Sequence, residues 1–340
     1  MQGITMQKIA AEMQNKAREL LKNGTVNAVL GWEKGDLPYD PAPAFFQNAD
    51  DLEHLVYTEF CGSNLSKYLI EKNKTPDNKT SVWKIAVFLK PCDTYSLNQL
   101  LSEKRIDREK VYAIGIGCDG MIDLEKLKAK GFKGLLEVSA SGKGDELLVK
   151  TLYGEGSCAR EEVLLERCLA CKGKEHMVYD ERIGEDLSPK AAVSDRFAQV
   201  AELEGKSADE RFAFWRSELS KCIRCNACRN SCPACSCLKC IFDNARSGVN
   251  AKANVNDFEE NMFHIIRAFH VAGRCSDCGE CSRVCPEAIP LQLLNRKFIK
   301  DINNFYGEFQ AGVTAGLASP LLCYDQKDPE PNLVSKGGKK

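Results

Sequence analysis

Histidine is scarce in this chain and charge of either sign is not in surplus. The 340 residues hold four His, and 47 Lys and Arg stand against 48 Asp and Glu, a formal net charge of −1. So few imidazoles exclude a His-rich zinc or copper protein. Without a basic cluster, a nucleic-acid partner is not expected, because phosphate binding needs grouped Lys and Arg. No apolar run approaches the length of a membrane span. The opening MQGITMQKIAAEMQNKARELLKNG is polar and helix-patterned and has no signal-peptide core. A soluble, cytoplasmic protein is expected.

What the chain has instead is cysteine, eighteen of them. A chain of this length does not need disulfide staples, and many of the spacings are too short for disulfides but right for metal. Thiolate-only sites point to iron–sulfur clusters or structural zinc.

Hydrophobic patterning divides the chain. Residues 1–24 read as an amphipathic helix ended at Asn23-Gly24, and NAVLGW (27–32) as a strand. A Pro-rich loop follows, and 50–73 has helical periodicity. Strand and helix signals then alternate. VWKIAVFLK (82–90) and KVYAIGIG (110–117) are buried-strand runs. PCDTYSLNQLLSEK starts a helix at Pro91, and 121–131 is a helix closed by Gly131. GLLEV and ELLVKTLYG are further strands. This alternation predicts an α/β domain with a mostly parallel sheet over 1–185. A helical connector (186–221), a ferredoxin-like domain with two clusters (222–300) and a C-terminal extension (301–340) follow.

The strongest motif lies in that third part. Cys222-IR-Cys225-NA-Cys228-RNS-Cys232-Pro233 and Cys275-SD-Cys278-GE-Cys281-SRV-Cys285-Pro286 both read C-x2-C-x2-C-x3-C-P. In this pattern three thiolates wrap one 4Fe–4S cube and the fourth reaches the other. Cys222, Cys225, Cys228 and Cys285 are therefore assigned to one cluster, and Cys275, Cys278, Cys281 and Cys232 to the second. Structural zinc would instead use two separated CxxC pairs or His. His264 and His270 lie on an apolar-striped helix before the second motif and read as satisfied or surface histidines. Cys235, Cys237 and Cys240 follow the first motif with no complete ligand set, and read as small packing side chains. Cys61, Cys158 and Cys323 have no assigned role.

In the first domain Cys92 follows one strand and Cys118 the next. If those strands are parallel neighbours, both thiols leave the carboxyl edge of the sheet, where open α/β sheets place their sites. Cys168-LA-Cys171 adds a CxxC pair, so these four thiolates suffice for a third 4Fe–4S cluster. The loop GIGCDG around Cys118 also matches G-x-G-x-x-G through Gly115, Gly117 and Gly120, with Glu137 about twenty residues on as a ribose-binding acid should be. Three readings stand: a cluster-ligand loop, which is favoured, a dinucleotide loop, and a plain tight turn holding a buried Cys. In the first, the glycines admit backbone close to the cube and supply N–H groups to its sulfurs.

KPCDTYSLNQLLSEKRIDREKVYAIGIGCDGM, followed by CLACKGKEHMVYDERIGED, resembles the β-subunit family of deazaflavin-reducing hydrogenases and formate dehydrogenases. The resemblance covers roughly residues 80–300 and implies a cluster on Cys92, Cys118, Cys168 and Cys171. It also implies partners: a catalytic oxidoreductase subunit and a flavin or iron–sulfur subunit, with ferredoxin as a further candidate. Flavin-bearing members carry a Gly-Gly element near the N-terminus. Here the comparable stretch is FCGSNLSKYLI, a departure that argues against FAD. The expectation is a non-catalytic electron-transfer subunit of an anaerobic oxidoreductase. Its rivals are an FAD-containing β subunit exchanging hydride with a deazaflavin or NAD(P)H, and an iron–sulfur redox sensor or assembly protein. No acid–base or nucleophile constellation supports a catalytic site of the chain's own.

Overall fold

The computed structural model describes residues 6–72, 83–141, 145–172, 175–184, 195–244 and 257–323. Its first element, α1 (Met6–Lys22), buries Ile9, Met13, Ala17 and Leu20 at helical spacing, and Gly24 turns the chain out of it at φ +66°. β1 (Ala28–Glu33) follows, paired antiparallel with β2 (Ala42–Phe46) and β3 (Leu55–Val56). Parallel to β1 runs β4 (Ile85–Leu89), beside it β5 (Val111–Ile116), and beside that β9 (Glu181–Ile183). The sheet order is therefore β2-β1-β4-β5-β9, with parallel strands at its centre and antiparallel pairing at one edge. β4 is buried at every position, as expected for a parallel strand covered on both faces.

Three helices and a second sheet complete this region. α2 (Leu69–Lys72) precedes β4 in the chain, α3 (Pro91–Ser102) follows it, and α4 (Leu124–Ala129) follows β5. β6 (Leu135–Ala140), β7 (Glu146–Thr151) and β8 (Gly154–Ala159) make a separate antiparallel sheet, where the alternation had predicted continuation of the parallel one. The burial of β7 alternates along the chain, the mark of a sheet with one face wet. The segment 50–73 is not one helix either. A tight turn (Asp50–His54), β3, a coil through Cys61-Gly62 and a second turn (Leu65–Tyr68) precede α2, and the Asn64 side chain accepts from the Ser66 N–H to start that turn. The helix expected over 121–131 begins only at Leu124, because Asp123 caps it by accepting from Glu125 and Lys126.

α5 (Arg160–Val163) and α6 (Glu166–Leu169) lead to the second half of the chain. The connector provides α7 (Ala198–Glu204) and α8 (Ala208–Leu219), the latter with a capping box between Ser207 and Glu210. Then come α9 (Ala227–Asn230), α10 (Asp257–Val271), α11 (Glu280–Arg283) and α12 (Leu291–Tyr306). Among the described residues from 195 onward there is no strand, so this half is built of helices and cysteine loops. No helix of the described residues is long and apolar enough to cross a membrane.

The two halves meet along α3. Its polar residues Ser96, Asn98 and Gln99 are buried. Ser96 hydrogen-bonds Ser276 at 2.7 Å, and Asn98 donates to the Gly312 carbonyl at 3.0 Å. At the end of α3, Glu103 receives a two-pronged contact from Arg274 at 2.7 and 2.6 Å.

Candidate metal centres

β4 and β5 are parallel neighbours with Leu89 opposite Gly115, so the chain leaves the sheet twice at the same edge. Pro91 and Cys92 open α3 directly after β4, and Cys118 follows β5. Cys168 on α6 and Cys171 just after it approach from outside. All four cysteines line one cavity of about 190 Å³, together with Lys172 and Cys278. Gly120, at φ +91°, donates its N–H to Cys118 Sγ at 3.4 Å, and the Met121 N–H donates to Cys168 Sγ at the same distance. These are the backbone N–H groups expected of a ligand loop.

The dinucleotide reading of GIGCDG finds less here. Three residues separate Gly120 from α4, so no helix N-terminus opens on the loop. Glu137 lies on β6, in the other sheet. Nor does the loop have room to spare: a Cβ on Gly120 would lie 2.7 Å from Leu164, and one on Gly115 would lie 2.8 Å from His176. His176 was not singled out by sequence reasoning. Its Nε2 lies 3.2 and 3.1 Å from the Leu89 and Ile116 carbonyls, tying the ends of β4 and β5 together.

An anionic cluster would suit this cavity. The Lys172 ammonium is buried with no hydrogen-bond partner among the described residues, and it sits 3.9 Å over the Tyr95 ring. The Lys90 ammonium is buried as well, but it pairs with Asp93 at 2.8 Å and donates to the Cys61 and Ser63 carbonyls. Burial pushes the Cys118 thiol up to about 12. Metal binding must therefore displace protons from this site.

The two ferredoxin-type motifs fold alike. Arg224 and Asn226 in the first, and Asp277 and Gly279 in the second, hold φ between +53° and +68°. This left-handed backbone turns each loop inward, so that the Arg224 N–H reaches Cys222 Sγ and the Asp277 N–H reaches Cys275 Sγ, each at 3.4 Å. α9 then carries Cys228, and α11 carries Cys281. Cys285 lines the same pocket as Cys222, Cys225 and Cys228. Cys232 lies instead among Cys275, Cys278 and Cys281, near enough that its charge would raise each of their thiols, though burial is the larger cause. The structure thus brings together each of the two crossed sets of four.

His264 departs from expectation. It is 2 % exposed, and neither ring nitrogen has a hydrogen-bond partner among the described residues. It converges with Glu260 and Cys222, their ligand atoms all within 4.8 Å of one another. The i, i+4 spacing of Glu260 and His264 on α10 was the available signal. His270, on the same helix, is exposed as expected.

The N-terminal cavity and the second motif share a wall. Arg167, next to Cys168 and buried, donates to the Cys278 carbonyl at 2.8 Å, the Gly62 carbonyl at 2.5 Å and the Glu280 carboxylate at 2.5 Å. Burial would raise the Glu280 carboxyl, but Arg283 and Arg167 hold it down to about 2.

Comparison with known proteins places this geometry. A family model described as a 4Fe–4S dicluster domain matches residues 218–289. The chain is 26% identical to the F420-dependent formate dehydrogenase subunit beta of Methanocaldococcus jannaschii, over 85% of this chain and 88% of the relative. It is also 26% identical to the F420-dependent formate dehydrogenase 1 subunit beta of Methanococcus maripaludis, over 66% of this chain and 71% of that one. A chain of the F420-reducing NiFe hydrogenase complex of Methanosarcina barkeri aligns at 14% identity and a TM-score of 0.37, over 52% of this chain and 60% of its own, too slight a likeness to build on. Residues 218–289 thus match a 4Fe–4S dicluster domain, and the chain at large is similar to F420-dependent formate dehydrogenase β subunits.

Proposed function

We propose that this chain is the electron-transfer subunit of a multi-subunit oxidoreductase. It would relay single electrons between a catalytic subunit, of the formate dehydrogenase or hydrogenase kind, and a flavin-containing subunit. The observation that carries the reading is the shared wall: Cys278 of the second motif lines the cavity of Cys92, Cys118, Cys168 and Cys171. Bound 4Fe–4S clusters supply one-electron redox chemistry.

The chain's own residues hold and tune these sites. Cys92, Cys118, Cys168 and Cys171 are the proposed N-terminal ligands. Cys222, Cys225, Cys228 and Cys285 are the proposed ligands of one dicluster site, and Cys275, Cys278, Cys281 and Cys232 those of the other. N–H groups from Gly120, Met121, Arg224 and Asp277 reach the ligand sulfurs. Lys172 supplies a buried positive charge beside the N-terminal thiols. Arg167 fixes the distance between that site and Cys278.

A second reading adds FAD and hydride exchange with a deazaflavin or NAD(P)H. In its favour is a cavity of about 670 Å³ between β3, the 34–41 loop and β6, lined by Tyr57 and Phe60, which is the size of a cofactor site. Against it stand the missing Gly-Gly element and the cysteine in GIGCDG.

The test is the iron and flavin content of the anaerobically purified chain and of Cys118→Ala. The variant is expected to lose about four irons and keep the dicluster signals. Unchanged iron overturns the N-terminal site. Stoichiometric flavin in the wild type moves the assignment to the second reading.

A further inference from the structure

The first motif runs on as Pro233-Ala234-Cys235-Ser236-Cys237-Leu238-Lys239-Cys240. The relay proposed above leaves these last three cysteines unused. They line one cavity of about 310 Å³, between their own loop and the end of α10. His270, on the last turn of α10, lines it too and completes a set of four donors.

The surroundings are cationic. Lys67, Arg229, Lys239, Arg267 and Arg274 line the cavity, against Asp243 as its acid. Arg267 is the telling one. It is 4 % exposed and donates Nη2 to the Cys228 carbonyl at 2.8 Å, yet its Nε has no hydrogen-bond partner among the described residues. A guanidinium with an unpaired buried N–H, facing a cavity of thiols, is a site built for an anion.

The spread of the thiols decides which metal. A single tetrahedral zinc would gather its sulfurs to within about 4 Å of one another. Among the described residues, only Cys222, Glu260 and His264 come within 4.8 Å as a group. Cys235, Cys237 and Cys240 do not form such a group, so their sulfurs are not gathered as one zinc would hold them. A cube holds its thiolates farther apart, at its corners.

We propose that Cys235, Cys237 and Cys240, with His270 facing the fourth iron, bind a further 4Fe–4S cluster. The site abuts the second crossed set, because the Cys235 N–H donates to the Cys232 carbonyl at 3.1 Å. It reaches the surface at Cys237, which is exposed. Its place is therefore at the outer end of the relay, where a redox partner would dock. Each thiol gives up its proton as it takes iron, and the Arg and Lys side chains balance the charge that results.

The experiment compares the anaerobically purified full chain with the double variant Cys237→Ser/Cys240→Ser. The expected result is a loss of about four irons and about four sulfides per chain, with the Cys118-dependent irons retained. A variant that folds and keeps all of its iron overturns the proposal, and so does the loss of one zinc in place of iron. Should the variant fail to fold, the wild type still answers. Cys237 is exposed, so as a free thiol it is alkylated by iodoacetamide within minutes under native anaerobic conditions. As a ligand it stays protected, together with Cys240, until the iron is chelated. Prompt alkylation of Cys237 with no loss of iron refutes the site, whatever becomes of the Cys118 test.

Discussion

Replacing Arg167 with Met is expected to unseat the two halves of the protein from one another. The guanidinium spans the joint. On one side it donates to the Gly62 carbonyl, and on the other to the Cys278 carbonyl and the Glu280 carboxylate. Met keeps most of the stem's packing and removes all three bonds. Glu280 would not be left alone, because Arg283 contacts both of its oxygens at 2.8 and 2.9 Å. The full cost of stripping a buried charge of its partner, about 3–5 kcal/mol, therefore does not apply. What applies is the loss of partners for two buried carbonyls, about 1–3 kcal/mol each. A loss of about 2–6 kcal/mol follows. Urea unfolding of the anaerobic protein, followed by circular dichroism, measures it as a lower midpoint at unchanged slope. Arg283→Met, which removes the more exposed of the two arginines, should cost less. A loss below about 1 kcal/mol for Arg167→Met, the range of ordinary surface substitutions, would refute the reasoning.

Three further outcomes are expected. Gly312→Ala should release the 310–323 segment to limited proteolysis. Gly312 holds φ +84°, and its Cβ would sit 1.9 Å from the Tyr95 carbonyl oxygen, in helix backbone that cannot yield. His264→Leu should make the potential of one dicluster cluster more negative at unchanged iron content, while His264→Gln, which keeps a donor, should shift it less; potentiometric titration followed by EPR reads both. Burial would raise the Glu103 carboxyl, but hydrogen bonds from Arg274 and Gln99 outweigh it and hold the group below its ordinary value. The stability this adds is present in full above the unfolded pKa of about 4.3 and is lost as pH falls through the folded one. The gap in urea midpoint between wild type and Glu103→Gln should accordingly be widest near neutrality and should close in acid.

The metal chemistry was legible because it is written in short spacing. Three cysteines at steps of three with a fourth before proline leave few foldings, and the left-handed residues at 224, 226, 277 and 279 are the local consequence. The carboxyl edge of β4 and β5 was legible for a similar reason: buried parallel strands read as apolar runs, and a cysteine follows each run within two residues. What failed depended on partners distant in sequence. The strands of 135–159 carry the same local signal whether they extend a parallel sheet or form their own, and only the antiparallel pairing of β6 with β7 and β7 with β8 decides between them. The periodicity of 50–73 was cut by Cys61-Gly62, where Gly62 packs so closely that a Cβ would lie 2.9 Å from Arg283, more than two hundred residues on.

Helix α3 shows the limit most clearly, and also why it bears on function. Its sequence, PCDTYSLNQLLS, mixes polar residues among the apolar ones, and nothing in it says which of them meet solvent. Nine of its twelve residues are buried. One side meets the parallel sheet, and the other meets the dicluster half through Ser96, Asn98 and, past its end, Glu103. Polar groups buried in this way must find defined partners, so they fix one docking geometry where an apolar face would tolerate sliding. α3 also begins with Cys92. The helix that opens on one proposed cluster ligand thus carries, along its length, the contacts that hold the second half in register. Fixed separations are what a relay requires, since a displaced joint would change the distance each electron has to cross. The burial of α3's polar residues is therefore the feature that binds this fold to the proposed function.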